Sequence, residues 1–279
     1  MSQASLINLT LTKYLFTVTF MKRTRSEGEA LKQLLTTHFP NSGVTQEAAA
    51  PAAALLARHS EWSLATRMVT YRRVEWAIDS FTPYKSPGVD GIFPALLQKG
   101  REVFIPYLVR IFHACLATGY VPAIWRQVKI VFIPKPGRNT YSGPRDYRPI
   151  SLTLFLLKTM ERLVDSYLTD EPLALVPLHP NQHNYQAGKS VERPLHQLLL
   201  WVEKALDQQE TALGVFLDIE GAFNNTCYDT MCDALFRHGR DYTIVRWIRA
   251  TLEGRVAVAT LIAFSVGLVI SRGYPQVGV

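Results

Sequence analysis

The chain is poor in cysteine: Cys115, Cys227 and Cys232 are the only three in 279 residues, and no two stand in C-x-x-C spacing. An odd, unpaired set excludes a disulfide framework and a clustered-thiolate zinc site, and it fits a reducing compartment. The chain also lacks an uninterrupted apolar run of the ~20 residues that a membrane-spanning helix needs. Its nearest approach, residues 5–21, is broken by Lys13 and by several Thr and Asn residues. No cationic stretch precedes that run and no clean small-residue cleavage site follows it, so it does not read as a signal peptide. No internal repeat is visible. Disorder is excluded by composition, since 48% of residues are hydrophobic and only 19% charged, which is ordinary for a globular chain able to bury a core.

What is present begins with charge. The formal net charge is +7, and it is concentrated: residues 126–162 hold Arg126, Lys129, Lys135, Arg138, Arg145, Arg148, Lys158 and Arg162 against Asp146 and Glu161, leaving +6 in that stretch. A local cationic segment of this kind points to a polyanionic partner. A solvated cationic surface is the alternative reading for any one of these residues.

The alanine-rich stretch 47–57, with Pro51, reads as a linker, and the compact domain is expected from Glu61, leaving 1–60 as leader and linker. Helical spacing of apolar residues predicts helices over 103–118, ended by Gly119 and Pro122, from Leu156 to Leu168, and over 195–207, 228–238 and 242–252. Residues 128–133 form a β-branched run stopped by Pro134, with a loop following to about Arg148. Residues 212–217 form a continuous apolar run of strand length leading into Asp218, and 255–264 with 266–272 can pair as a hairpin. Helices interspersed with strands and closed by a hairpin give an α+β fold class.

The segment with most chemistry is Leu213-Gly-Val-Phe-Leu-Asp-Ile-Glu-Gly-Ala-Phe-Asn-Asn-Thr226. A carboxylate closing an apolar strand at the rim of a sheet is placed to bind a divalent cation through oxygen ligands. One Asp does not supply the several carboxylates of a two-ion phosphoryl-transfer site, and helix capping or turn formation is the other reading of that position.

The string Phe216-Leu-Asp-Ile-Glu-Gly-Ala-Phe-Asn-Asn-Thr226 resembles the first catalytic motif of non-LTR (LINE-like) retrotransposon reverse transcriptases, especially the arthropod jockey-related group. Further segments follow in that family's order: Lys85-Ser-Pro-Gly-Val-Asp-Gly-Ile92, Val131-Phe-Ile-Pro-Lys-Pro-Gly137, Tyr147-Arg-Pro-Ile-Ser-Leu152, Gln182-His-Asn-Tyr-Gln-Ala-Gly188 and Arg272-Gly-Tyr-Pro-Gln276. Leu34-Leu-Thr-Thr-His-Phe-Pro40 resembles the segment that precedes the polymerase domain in these elements.

The resemblance implies right-hand fingers and a partial palm over 61–279, helix-rich, in an RNA-directed DNA polymerase that uses two Mg²⁺ ions, an RNA template, a DNA primer and deoxynucleoside triphosphates, inside the cell and without a membrane. Asp218 would be the first catalytic and metal-binding carboxylate, with the Ile219 carbonyl as a further metal ligand. Phe223 would lie beneath the nucleotide sugar and exclude a 2′-hydroxyl. Lys135, Arg148 and Gln276 would hold the nucleotide, a Lys as a point charge and an Arg as a fork matched to phosphate oxygens. Arg126, Lys129, Arg138 and Arg145, with Tyr141 and Tyr147 interleaved, would follow a nucleic-acid backbone. His183 and His196 read as packing or capping residues.

The sequence departs from the family at Tyr274, usually Cys, and at Val277, usually Gly. The second catalytic motif and the thumb are expected beyond Val279. The chain is therefore expected to be an incomplete polymerase, inactive alone. The alternatives are a nucleic-acid-binding remnant without chemistry and a product of a decayed element without function.

Overall fold

The computed structural model describes residues 26–44, 59–137, 140–171, 173, 177–184, 186, 188–219, 221–261 and 264–275. The chain divides into two compact units, one formed by 1–166 with 221–279 and the other by 167–220.

The larger unit is built on a mixed five-stranded sheet in the order β1-β5-β4-β2-β3: β1 is Gly43–Val44, β2 Gln127–Pro134, β3 Tyr147–Leu152, β4 Arg255–Leu261 and β5 Phe264–Ile270. β2–β3 and β4–β5 are antiparallel ladders, while β2 and β4 run parallel, with β3 and several helices between them in the chain. Pro149, which donates no ladder hydrogen bond, is tolerated because β3 is the edge strand.

Alternation of apolar residues gives this sheet one buried face. Val128, Ile130, Tyr147, Ala257, Ala259, Leu268 and Ile270 enclose a core with Ala30, Leu31, Leu34, Leu35 and Phe39. The last five belong to helix α1, Glu27–His38, and its exit; Ser26 caps it, its hydroxyl accepting from the Glu29 N–H at 3.3 Å. Its apolar stripe lies over β4 and β5, and β1 then pairs with β5. The compact fold thus reaches upstream of Glu61, where the sequence reading began it: within 27–44, burial of one face of α1 supplies what a leader would lack. The linker stretch 47–57 lies outside the described residues.

Beside the sheet, α5 (Arg101–Thr118) packs against α2 (His59–Met68), α3 (Tyr71–Asp79) and α10 (Tyr242–Leu252), with α4 (Pro94–Lys99) alongside. The buried Glu61 carboxylate meets Arg246 at 3.2 Å, and that guanidinium also donates to the Ala117 carbonyl, so α2, α5 and α10 share one polar tie. Gly119 ends α5 at φ +66, where any Cβ would strike the Arg246 side chain. Helix α6, Phe155–Asp170, leaves the sheet, and α8 (Ala222–Asn225) and α9 (Tyr228–Arg237) lead back into α10.

The smaller unit carries α7, Glu192–Asp207, and a stretch that is neither helix nor strand, 211–219. Here the sequence reading needs correction. The apolar run 212–217 is not a strand among the described residues, and Asp218 does not close a central strand. Leu213, Phe216 and Leu217 are 89%, 81% and 92% exposed. An apolar β-prone run favours a strand, but it becomes one only when another strand takes up its N–H and C=O groups. Among the described residues no helix is long and apolar enough to cross a membrane.

Candidate functional site

The β2–β3 hairpin places the first pair of basic residues. Arg148 stands directly opposite Ile133, and the Lys135 N–H donates to the Asp146 carbonyl at 2.9 Å, one step beyond the last ladder pair. Directly opposed residues share a face, and so do residues two apart on one strand. Lys135 and Arg148 therefore issue from the same face, diagonal neighbours across the hairpin. Lys129, opposite Leu152, is on that face too. It is the face away from α1: Lys129 and Arg148 are exposed and Lys135 half-buried, while Val128, Ile130, Tyr147 and Ser151 point into the core.

Hydrogen bonds tie together the described residues of the hairpin tip. The Tyr141 hydroxyl donates to the Lys135 carbonyl at 2.8 Å, the Tyr147 hydroxyl to the Tyr141 carbonyl at 3.3 Å, and the Gly143 N–H to Asp146 Oδ2 at 2.8 Å. Burial pushes the Tyr147 hydroxyl up to about 12. His38 Nε2 lies 3.0 Å from the Pro144 carbonyl; burial lowers its pKa against that hydrogen bond, and the Lys135 charge lowers it further. Tyr141 and Tyr147 thus fasten the loop. Tyr147 is in the core, so its ring does not share the surface with the basic residues that flank it in the sequence.

The described cations of the basic stretch differ in their surroundings. The Arg126 guanidinium donates to the Glu253 carbonyl at 3.1 Å, at the end of α10. Lys158 lies over the Phe155 ring at 4.7 Å, and Arg162 over the Phe81 ring at 4.2 Å. Arg145, on the 3₁₀ turn Pro144–Asp146, is exposed at the hairpin tip. Lys129, Lys135, Arg145 and Arg148 remain outward-facing; Arg138 lies outside the described residues.

Phe223 sits on α8, entered through Gly221 at φ +65, and is 40% exposed. Its turn is tied to the segment after β5: the Tyr274 N–H donates to the Phe223 carbonyl at 2.6 Å and the Gly273 N–H to the Thr226 carbonyl at 2.7 Å. Gln276 and Val277 lie outside the described residues, so their placement is not part of this geometry. In the smaller unit, Asp218 is exposed and its Oδ1 accepts from the Ile219 N–H at 2.9 Å. Asp218 and Ile219 together offer one carboxylate and one backbone carbonyl. Among the described residues no group of three His, Cys, Asp or Glu side chains comes together, so these residues do not by themselves fit a pair of divalent ions.

A family model described as "Reverse transcriptase (RNA-dependent DNA polymerase)" matches residues 133–276, slightly more than half of the chain. The chain belongs to the reverse transcriptase family. The match opens at the hairpin that carries Lys135 and Arg148 and closes at the segment bound to the Phe223 turn. Among the relatives, the "Probable RNA-directed DNA polymerase from transposon BS" of Drosophila melanogaster is 32% identical over 169 residues, 61% of this chain and 18% of that protein. The "RNA-directed DNA polymerase from mobile element jockey" of the same fly is 29% identical over 164 residues, 59% of this chain and 18% of that protein. A "Retrovirus-related Pol polyprotein from type-1 retrotransposable element R2" of Popillia japonica is 28% identical over 189 residues, 67% of this chain and 25% of that protein. The chain thus spans about a fifth to a quarter of the length of these relatives, all of them proteins of non-LTR retrotransposons. Members of this family generally use divalent metal ions and act on a nucleic-acid template with deoxynucleoside triphosphates.

Two parts of the site escaped the sequence reading. One is the polar tie across the hairpin tip, for which Tyr141 gave no periodic signal. The other is Arg255, buried at the start of β4, where its only mark in the sequence is a charge opening a β-branched run.

Proposed function

We propose that this chain is the fingers and the first part of the palm of an RNA-directed DNA polymerase of a non-LTR retrotransposon, and that the open face of the β2–β3 hairpin takes the triphosphate of an incoming deoxynucleotide. The observation that carries this reading is the register that sets Lys135 and Arg148 on one solvent-facing side of a hairpin inside the matched region. Lys135 offers a compact ammonium and Arg148 a planar fork, and phosphate oxygens satisfy both. Phe223 would take the sugar, and Lys129 and Arg145 would follow the template backbone. Gln276 would complete the nucleotide contact.

Mg²⁺ belongs to the same reading, with Asp218 contributing one carboxylate and Ile219 one carbonyl to a larger ligand set. By itself the 279-residue chain is proposed to bind without polymerising, since one carboxylate and one carbonyl do not hold a pair of ions in place. Template RNA, primer DNA and an intracellular setting follow from the family and are part of the proposal.

Equilibrium dialysis of dTTP with Mg²⁺ tests it. Arg148→Gln and Lys135→Gln are each expected to weaken dTTP binding about tenfold, the loss of one charge-assisted contact. Equal affinity in both variants and the parent chain would remove the hairpin from the nucleotide site.

A further inference from the structure

A buried cation stands behind the Phe223 turn. Arg255, at the start of β4, is 2% exposed, and its guanidinium donates to the Gly273 carbonyl and, at 3.3 Å, to the Tyr228 hydroxyl. The Tyr228 hydroxyl in turn donates to the Ile270 carbonyl at 3.2 Å, so the guanidinium and the phenol together grip both ends of the backbone that leaves β5. Gly273 connects this grip to the turn. Its N–H bonds to the Thr226 carbonyl, its neighbour's N–H bonds to the Phe223 carbonyl, and its φ of +85 with a would-be Cβ 2.7 Å from the Phe223 oxygen leaves room for no other residue.

The arrangement is costly to build. A buried guanidinium must find acceptors for its N–H groups, and Arg255 Nε has none among the described residues. Glu161 on α6 faces the same charge: burial pushes its carboxyl up to about 7, against the opposing pull of Lys158 and Arg255. A fold needing only a filled space here would do better with an apolar side chain, because replacing buried ionic groups by packed apolar ones is often neutral or stabilising.

We infer that Arg255, through the Gly273 carbonyl and with Tyr228, is a positioning residue that fixes the height of the Phe223 ring and thereby sets discrimination between deoxy- and ribonucleotides. The inference rests on the proposed nucleotide site. A ring that excludes a 2′-hydroxyl works only if the backbone beneath it cannot yield by a fraction of an ångström, and the clamp supplies that stiffness from behind.

The test uses the full chain with Arg255→Gln, Arg255→Lys and Tyr228→Phe, and two readouts. Hydrogen exchange at the Gly273 and Tyr274 amides should accelerate about tenfold or more in Arg255→Gln and in Tyr228→Phe, the factor for losing a charge-assisted bond, while amides of β2 and β4 keep their protection. Arg255→Lys, which retains a cationic donor, should restore most of the protection. In dialysis the same two variants should bring the dUTP-to-UTP preference towards unity with triphosphate affinity retained. Unchanged exchange at Gly273 and Tyr274 in both variants overturns the clamp, whatever the nucleotide result. If exchange rises and the dUTP-to-UTP preference holds, in a protein where Arg148→Gln weakens dTTP, the positioning role is wrong though the site is right. Loss of the nucleotide site itself would appear separately, as Arg148→Gln without effect; the exchange data then decide the clamp alone.

Discussion

Arg148 and Lys135 lie diagonally across one two-stranded hairpin, on the face that the core does not use, and the same hairpin buries Tyr147 on its other face. One ladder thus fixes the spacing of two cations and anchors it to the core. The tie between tip and core runs through the Tyr141 hydroxyl and the Lys135 carbonyl. Tyr141→Phe should cost about 1 kcal/mol of stability, the usual worth of one hydrogen bond. It should also weaken dTTP binding more than its stability change suggests, because it frees the backbone that carries Lys135. Urea unfolding and dialysis on the same samples check both parts.

Nucleic-acid binding should depend on the outward-facing cations and not on the stacked or bonded ones. Charge reversal at Arg145 and Arg148 should weaken binding of a single-stranded RNA oligomer strongly and flatten its salt dependence, each lost phosphate contact removing about 0.7 from the slope of log K against log salt. Arg162→Gln, which removes a guanidinium stacked on Phe81, should leave that slope in place. Fluorescence anisotropy across a salt series separates these outcomes; equal slopes in all variants would count against the hairpin as a nucleic-acid surface.

Residues 27–44 should be indispensable to the fold. Leu34 is fully buried against the sheet, and Leu34→Ala should destabilise by about 2–5 kcal/mol through lost transfer energy and the cavity left behind. An unchanged urea midpoint would mean that α1 is not part of the sheet's core.

Gly273→Ala should be among the most damaging single-methyl additions in the chain, at about 1–3 kcal/mol for the strained φ, with the clash against the Phe223 carbonyl added. Thermal unfolding measures the cost. A midpoint equal to the parent's would show that the 272–275 segment does not lie against the turn.

Glu161 makes stability depend on pH in a defined direction. Its carboxyl titrates near 7 in the fold, above the ordinary 4.5, because burial disfavours the charged form. Between those values the folded chain binds the proton and the unfolded chain does not, so Glu161 favours the fold fully below about 4.5 and that contribution is lost as pH rises towards 7, by at most about 1.4 kcal/mol per unit. Glu161→Gln should flatten this part of the urea-midpoint profile and leave the rest unchanged. A profile of the same shape in the variant would mean that another group titrates there.

The sequence by itself determined the local elements and the family. Helical spacing placed the helices around 103–118, 228–238 and 242–252 close to where they stand, Gly119 marked a real helix end, and the β-branched runs gave β2, β4 and β5, because period and capping are properties of neighbouring residues. The order of short motifs gave the family for the same reason. Tertiary structure decided the rest. Only pairing showed that Lys135 and Arg148 share a face, since register depends on two strands at once. Only packing separated Arg126, Lys158 and Arg162 from the open cations, because a charge's availability depends on carbonyls and rings brought from elsewhere in the chain. Only the sheet made α1 part of the core. The run before Asp218 shows the limit most plainly: its residues favour a strand, yet a strand exists only where another backbone takes up its hydrogen bonds, and the amino-acid pattern of one segment does not contain its partner.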